Sequence, residues 1–151
     1  MSLDQHNLRR PETRDEWDQY HGIRRRVLWE RRGLYGVYDE NHPDEFKSTH
    51  NPLLLMYRDE AVGVIRIDIV GKQAIFRRVA VREDVQRSGH GRVLLALAEE
   101  FAREKDCDHL YSFVSPDAVE FYEKCGFRRD AGNPEYADHV PMEKQLSEAA
   151  G

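Results

Sequence analysis

Between Leu53 and Val81 the chain carries three apolar runs separated by turns of only two or three residues. Leu53 to Tyr57 stops at Arg58-Asp59-Glu60, Ala61 to Val70 stops at Gly71-Lys72, and Gln73 to Val81 follows. Connections that short join antiparallel neighbours, so the segment reads as a meander. After Val81 the texture changes. Val93, Leu94, Leu97, Ala98, Phe101 and Ala102 mark one helical face from Gly91 to about Lys105. A strand over His109 to Val114, a helix over Pro116 to Cys125, a strand starting at Phe127-Arg128 and a last strand over His139 to Lys144 complete the series. Ahead of the meander, residues 8–10 read as a short strand stopped by Pro11. Thr13 with Glu16 fits a capping box and predicts a helix starting near Arg14. Trp17, Tyr20, Ile23, Val27 and Leu28 carry that helix to about Arg31, with a break expected at Gly22. Gly33 to Asn51 reads as loop or short helix. Strands first, then strands alternating with helices, predict a mixed sheet in an α+β domain.

The 151 residues suit one domain spanning 1–151. With 40% apolar and 34% charged residues, a real core sits under a charged surface. No run approaches the roughly 18 apolar residues of a membrane span, and Met1 to Arg10 offers no apolar stretch to a signal peptide. Two cysteines, Cys107 and Cys125, are too few for a disulfide framework. A cytoplasmic protein without membrane association is expected. A net charge of −5 argues against nucleic acid as a partner. The seven histidines show neither H-x₃-H nor HExxH spacing, so no metal is expected.

Charge is unevenly placed. Arg77, Arg78, Arg82, Arg87 and Arg92 face only Glu83 and Asp84 in their segment, while Asp39, Glu40, Asp44 and Glu45 form an acidic stretch without a base. Within the basic segment, the strand ending at Val81 runs through Gln86-Arg87-Ser88-Gly89-His90-Gly91-Arg92 into a helix. Glycine lets backbone turn tightly and a ligand approach closely. The first helical N–H groups lack partners and sit at the positive dipole end, which suits a phosphate or pyrophosphate. Neither GxxxxGK[ST] nor GxGxxG is present. A tight β–α turn without a ligand has the same glycine pattern. Further on, Ser115 suits an N-cap, Pro116 the first helical position and Gly126 the helix end. Ala118, Phe121, Tyr122 and Cys125 share one face of that helix.

The two segments together, in this order, are more specific than either alone. Gln86-x-x-Gly89-x-Gly91 resembles the Q/R-x-x-G-x-G/A signature of the GNAT N-acetyltransferase superfamily, and Ala118…Phe121-Tyr122-Glu123-Lys124-Cys125-Gly126-Phe127 is similar to its second acyl-CoA segment. The resemblance implies a three-layer α/β/α arrangement, its mixed, mostly antiparallel sheet splayed between two central parallel strands. It implies acetyl-CoA as cosubstrate, held by Gln86, Arg87, Ser88, Gly89, His90, Gly91 and Arg92, chiefly through backbone amides. Val79 and Val81 would pair with the pantetheine arm. Ser115 stands where many relatives keep an asparagine that contacts it. Tyr122 stands where relatives keep a tyrosine beside the thioester sulfur, as general acid.

The implied reaction is direct attack by an amine, of a small molecule or of a protein. An alkyl ammonium with a pKa near ~10 must first lose a proton. The strand from Ala74 to Val81 lacks the carboxylate that some relatives use as base. The acids of Asp39 to Glu45 are alternatives that could attract the ammonium group, with Tyr35, Tyr38, Asp39 and Glu40 lining the acceptor side. A different class stays open: an acyl-CoA-binding sensor with weak catalysis. The sequence does not identify the acceptor and is silent on oligomeric state, a homodimer being compatible with it.

Overall fold

A computed structural model describes residues 5–135 and 138–146. The meander forms as expected: β2 (His50–Tyr57), β3 (Glu60–Val70) and β4 (Gln73–Val81) pair antiparallel. Arg58 and Asp59 at the β2–β3 turn both take positive φ, 48° and 69°, which matches a hairpin turn to the twist of its strands. β1 covers His6–Arg9, slightly earlier than residues 8–10, and pairs with β2. β5 (His109–Val114) runs parallel to β4, and β7 (Val140–Gln145) lies between β5 and the two-residue β6 (Arg128–Arg129). The sheet order is β1-β2-β3-β4-β5-β7-β6, and β4–β5 is its one parallel pair among the described residues.

Helices cover both faces, giving the expected three layers. α1 (Arg14–Arg24) packs Tyr20 and Ile23 on Leu54, Met56, Ala61, Val64 and Ala80. Across the sheet, α2 (His90–Glu104) and α3 (Val119–Lys124) bring Leu94, Ala98, Ala102, Val119 and Tyr122 onto Leu53, Leu55, Ile65, Ile67, Phe76 and Leu110. Thr13 caps α1, its hydroxyl accepting from the Glu16 N–H at 3.1 Å. The Glu16 carboxylate accepts in turn from the Glu12 N–H at 2.9 Å, one residue before the position a capping box uses.

The break expected at Gly22 falls later. Gly22 lies buried within α1, and beyond Arg24 the helix widens into a π-helical turn, Arg25–Trp29, then a 3₁₀ turn, Glu30–Arg32. The apolar spacing of Val27 and Leu28 fits either winding over a single turn, which is why periodicity misses the change. The expected loop from Gly33 to Asn51 holds one 3₁₀ turn, Pro43–Phe46, before β2 opens at His50. The helix expected from Pro116 to Cys125 begins as a 3₁₀ turn, Pro116–Ala118. No helix among the described residues is long and apolar enough to cross a membrane.

Candidate active site

The parallel strands β4 and β5 pair only from Gln73–His109 to Phe76–Ser112, and beyond those residues β4 continues without β5. Just past the fork, β4 bulges. Arg66 lies opposite Arg77 and Val64 opposite Ala80, so Arg78 and Val79 share the space of one residue. Arg78 takes φ +55°, a left-handed conformation that costs a side-chain-bearing residue about 1–2 kcal/mol. Phe76 and Val79 pack in the α2–α3 layer, while Arg77 reaches Asp68 and Arg78 lies over Trp29 in the α1 layer. The bulge therefore aims two consecutive arginines at one face. Strain of this kind concentrates at working sites.

At the far end of β4 the chain turns through a 3₁₀ segment, Glu83–Val85, into α2. The Gln86 side-chain amide donates to the Val81 carbonyl at 2.9 Å and accepts from Arg31 at 3.2 Å, tying the turn to the strand. Arg87 and Gly89 both take positive φ, 67° and 88°, and Gly89 occupies the N-cap without a side chain over the helix end. Val93 N–H makes the first α2 bond, to the Gly89 carbonyl. The preceding amides are open to an anion, as helix geometry requires. Gly91 serves packing: a Cβ there would stand 3.3 Å from the Phe121 ring. At the turn His90 presents only its backbone. Its ring is buried, bonded to His6 at 3.0 Å and packed against Tyr57, and so fastens the helix start to β1 and β2. Burial also pushes the His90 pKa down. Arg87, Ser88 and Arg92 are exposed around the turn.

Tyr122 projects from α3 into the layer beneath the fork, edge-on to Phe121 and Phe127. Its hydroxyl lies near Ser112, the last β5 residue paired with β4, and Ser112 donates to the Phe76 carbonyl at 3.3 Å. Burial pushes the Tyr122 pKa up to about 12, against a smaller downward effect from Ser112. Ser115 takes the N-cap backbone geometry before the Pro116 turn, yet its hydroxyl caps nothing.

The opposite face carries a charged cluster that the sequence reading missed. Asp68 is 4% exposed, receives two bonds from Arg66 at 2.8 and 2.9 Å and one from Arg77 at 3.0 Å, and has His50 at 3.3 Å. Glu45 pairs with Arg24 at 2.7 Å and Arg66 at 3.4 Å, with the Tyr20 hydroxyl at 3.5 Å. The sequence offers Glu45 as one of the acids that could attract the acceptor's ammonium group; its side chain is instead buried and engaged by two arginines. The signal was present as Arg66-x-Asp68 inside an apolar strand, two charges on one face. Tyr38 joins this side, bonded to His21 at 2.5 Å and edge-on to Trp29, and burial pushes its pKa up to about 12. Tyr35 is 72% exposed and stands apart. Asp39 closes a local turn, accepting from the Asn41 N–H at 2.9 Å, and Glu40 is exposed. The side chain of Asp44 lies outside what the structure describes. The basic segment thus divides: Arg77 and Arg78 face the α1 layer, Arg82 binds Asp84 at 2.6 Å, and Arg87 and Arg92 flank the turn. Among the described residues no three His, Cys, Asp or Glu side chains converge as metal ligands.

A forked sheet with an open strand edge beside a glycine-rich helix start offers backbone groups and helical amides to an extended anionic ligand. The chain belongs to the acetyltransferase (GNAT) family, whose model matches residues 6–127. It is 24% identical over 145 residues to the uncharacterized protein YyaT of Bacillus subtilis, covering 93% of this chain and 97% of that one. Its fold is similar to a candidate N-acetyltransferase from Lactobacillus plantarum, with a TM-score of 0.76 and 26% identity over 94% and 99% of the two chains. It is also similar to PaiA N-acetyltransferase from Thermoplasma acidophilum, solved in complex with coenzyme A, with a TM-score of 0.70 and 17% identity over 97% and 100%.

Proposed function

We propose that this protein moves an acetyl group from acetyl-CoA to an amine by direct attack, without a covalent acyl-enzyme. The observation that carries the reading is the β4 edge. It is unpaired by β5 beyond Phe76, it leads to the open amides of α2 at one end, and the Tyr122 hydroxyl lies beside the fork at the other. The amides of Arg87 to Arg92 would hold the pyrophosphate, with Arg87 and Arg92 adding charge. Val79 and Val81 would align the pantetheine as a neighbouring strand does. The thioester would lie at the fork, where orientation and a backbone donor to its carbonyl supply most of the acceleration. Tyr122 then donates a hydrogen bond to the departing thiolate. Glu45 and Asp68 are tied up by arginines, so the ammonium proton leaves to water at the mouth of the fork.

Calorimetry tests the cofactor half. Gly89→Val places a branched side chain at φ +88° and against the phosphates; acetyl-CoA affinity should fall by at least about tenfold, the loss of one charge-assisted hydrogen bond. Arg87→Glu with Arg92→Glu should weaken binding in the same direction without altering the Gly89 backbone. Unchanged affinity in both folded variants would remove CoA from this turn.

A further inference from the structure

The charged cluster beside the fork does not balance. Arg24, Arg66, Arg77 and Arg78 bring four positive charges to the α1 side of β3 and β4, and Glu45 and Asp68 answer with two negative ones. Both carboxylates are fully engaged, Glu45 by Arg24 and Arg66, and Asp68 by Arg66, Arg77 and His50. Arg78 pairs with no carboxylate among the described residues. Its guanidinium lies 5.0 Å over the Trp29 ring, and its side chain remains accessible. A cation stacked on an aromatic face keeps its in-plane N–H donors free. The backbone beneath it holds φ +55°, so the fold pays in strain to put this arginine here, at the bulge adjoining the fork. Partial burial and the neighbouring Arg24, Arg66 and Arg77 oppose its charge, and Glu45 supports it. An anion arriving from outside would offset the repulsion from those arginines.

We propose that the acceptor is an amine that also carries a carboxylate, an amino-acid-like molecule whose carboxylate is held by Arg78. This rests on the acetyl-transfer reading, because that reading supplies the amine. A planar guanidinium fork matches a carboxylate with two parallel bonds, and the exposed Phe113 ring lies under the neighbouring Arg77 guanidinium at 5.3 Å. The acidic loop is then not the acceptor's anchor: Asp39 is spent on its own turn, and Glu45 on Arg24 and Arg66.

Two measurements test this in the presence of CoA or acetyl-CoA. In the first, the Nε–Hε resonance of Arg78 is followed by NMR while glycine or β-alanine is added, then their carboxamides, then 1,4-diaminobutane. The amino acids should shift it, and the carboxamides and the diamine should bind at least roughly tenfold more weakly, the worth of a charge-assisted bond. In the second, thiol release is measured with the proteinogenic amino acids and their carboxamides. The acid-to-amide ratio of kcat/KM should be roughly ten or more for the wild type, fall toward one in Arg78→Gln, and recover in part in Arg78→Lys, with CoA affinity unchanged. An Arg78 resonance indifferent to the amino acids, a wild type that prefers carboxamides or the diamine, or an Arg78→Gln protein that keeps the ratio would each overturn the proposal. If the amino acids shift Arg78 but no acceptor releases thiol, the carboxylate site stands and the acetyl-transfer reading fails.

Discussion

Tyr122→Phe should lower kcat by roughly 10²-fold or more, the usual contribution of one donor to a leaving or developing anion, with the affinity for acetyl-CoA unchanged. The ring stays, so its contacts with Phe121 and Phe127 survive. The raised pKa defines the role. A phenol at about 12 lies well above a thiol near ~8.5, so full proton transfer to the thiolate is uphill and the hydroxyl acts by hydrogen bonding. The sign follows. Burial favours the neutral phenol, so its stabilising contribution is whole below pH ~10, the unfolded value, and is lost as pH climbs through about 12. Activity should rise with pH as the amine loses its proton, with no decline from Tyr122 short of that range. A Tyr122→Phe protein with wild-type kcat and the same pH profile would leave Tyr122 as packing alone.

The second large effect is on stability. Asp68→Ala would leave Arg66, itself 5% exposed, without its two-bond partner and would strip Arg77 of its one carboxylate among the described residues. Removing one partner of a buried ion pair costs about 3–5 kcal/mol, and at roughly 2–4 °C per kcal/mol for a chain of this size the melting temperature should drop by about 6–20 °C. Asp68→Asn keeps the shape and loses the charge, and should fall in between. A melting temperature within about 2 °C of wild type, below 1 kcal/mol on that scale, would mean that water satisfies Arg66 as well as Asp68 does.

Most of the fold is legible because its signals are local. The turns at Arg58-Asp59 and Gly71-Lys72 bound β2, β3 and β4; Thr13 starts α1; Gly126, at φ +94°, ends α3. The turn at Gln86–Arg92 was legible for the same reason, since strand, glycine and helix are consecutive. The charged cluster was not. It joins Arg24, Glu45, Asp68 and Arg77 across stretches of chain whose register is set by a bulge, and alternation along β4 places Arg77 and Arg78 on opposite faces. The positive φ at Arg78 cancels that alternation, and no residue type announces it: arginine is an unusual occupant of the left-handed region. Glu45 reads as an acid free to attract an ammonium group because a run of acids gives no sign of arginine partners distant in sequence. His90 shows the converse: the sequence groups it with the glycine-rich turn, while its ring packs inward on His6 and Tyr57.

A crystal structure with coenzyme A bound tests the central claim most directly. The pyrophosphate should rest on the amides of Arg87 to Arg92. The pantetheine should run along β4 past Val81 and Val79, and the sulfur should lie at the fork within hydrogen-bonding distance of the Tyr122 hydroxyl. Coenzyme A bound elsewhere, or entering the fork with its sulfur turned away from Tyr122, would contradict the account.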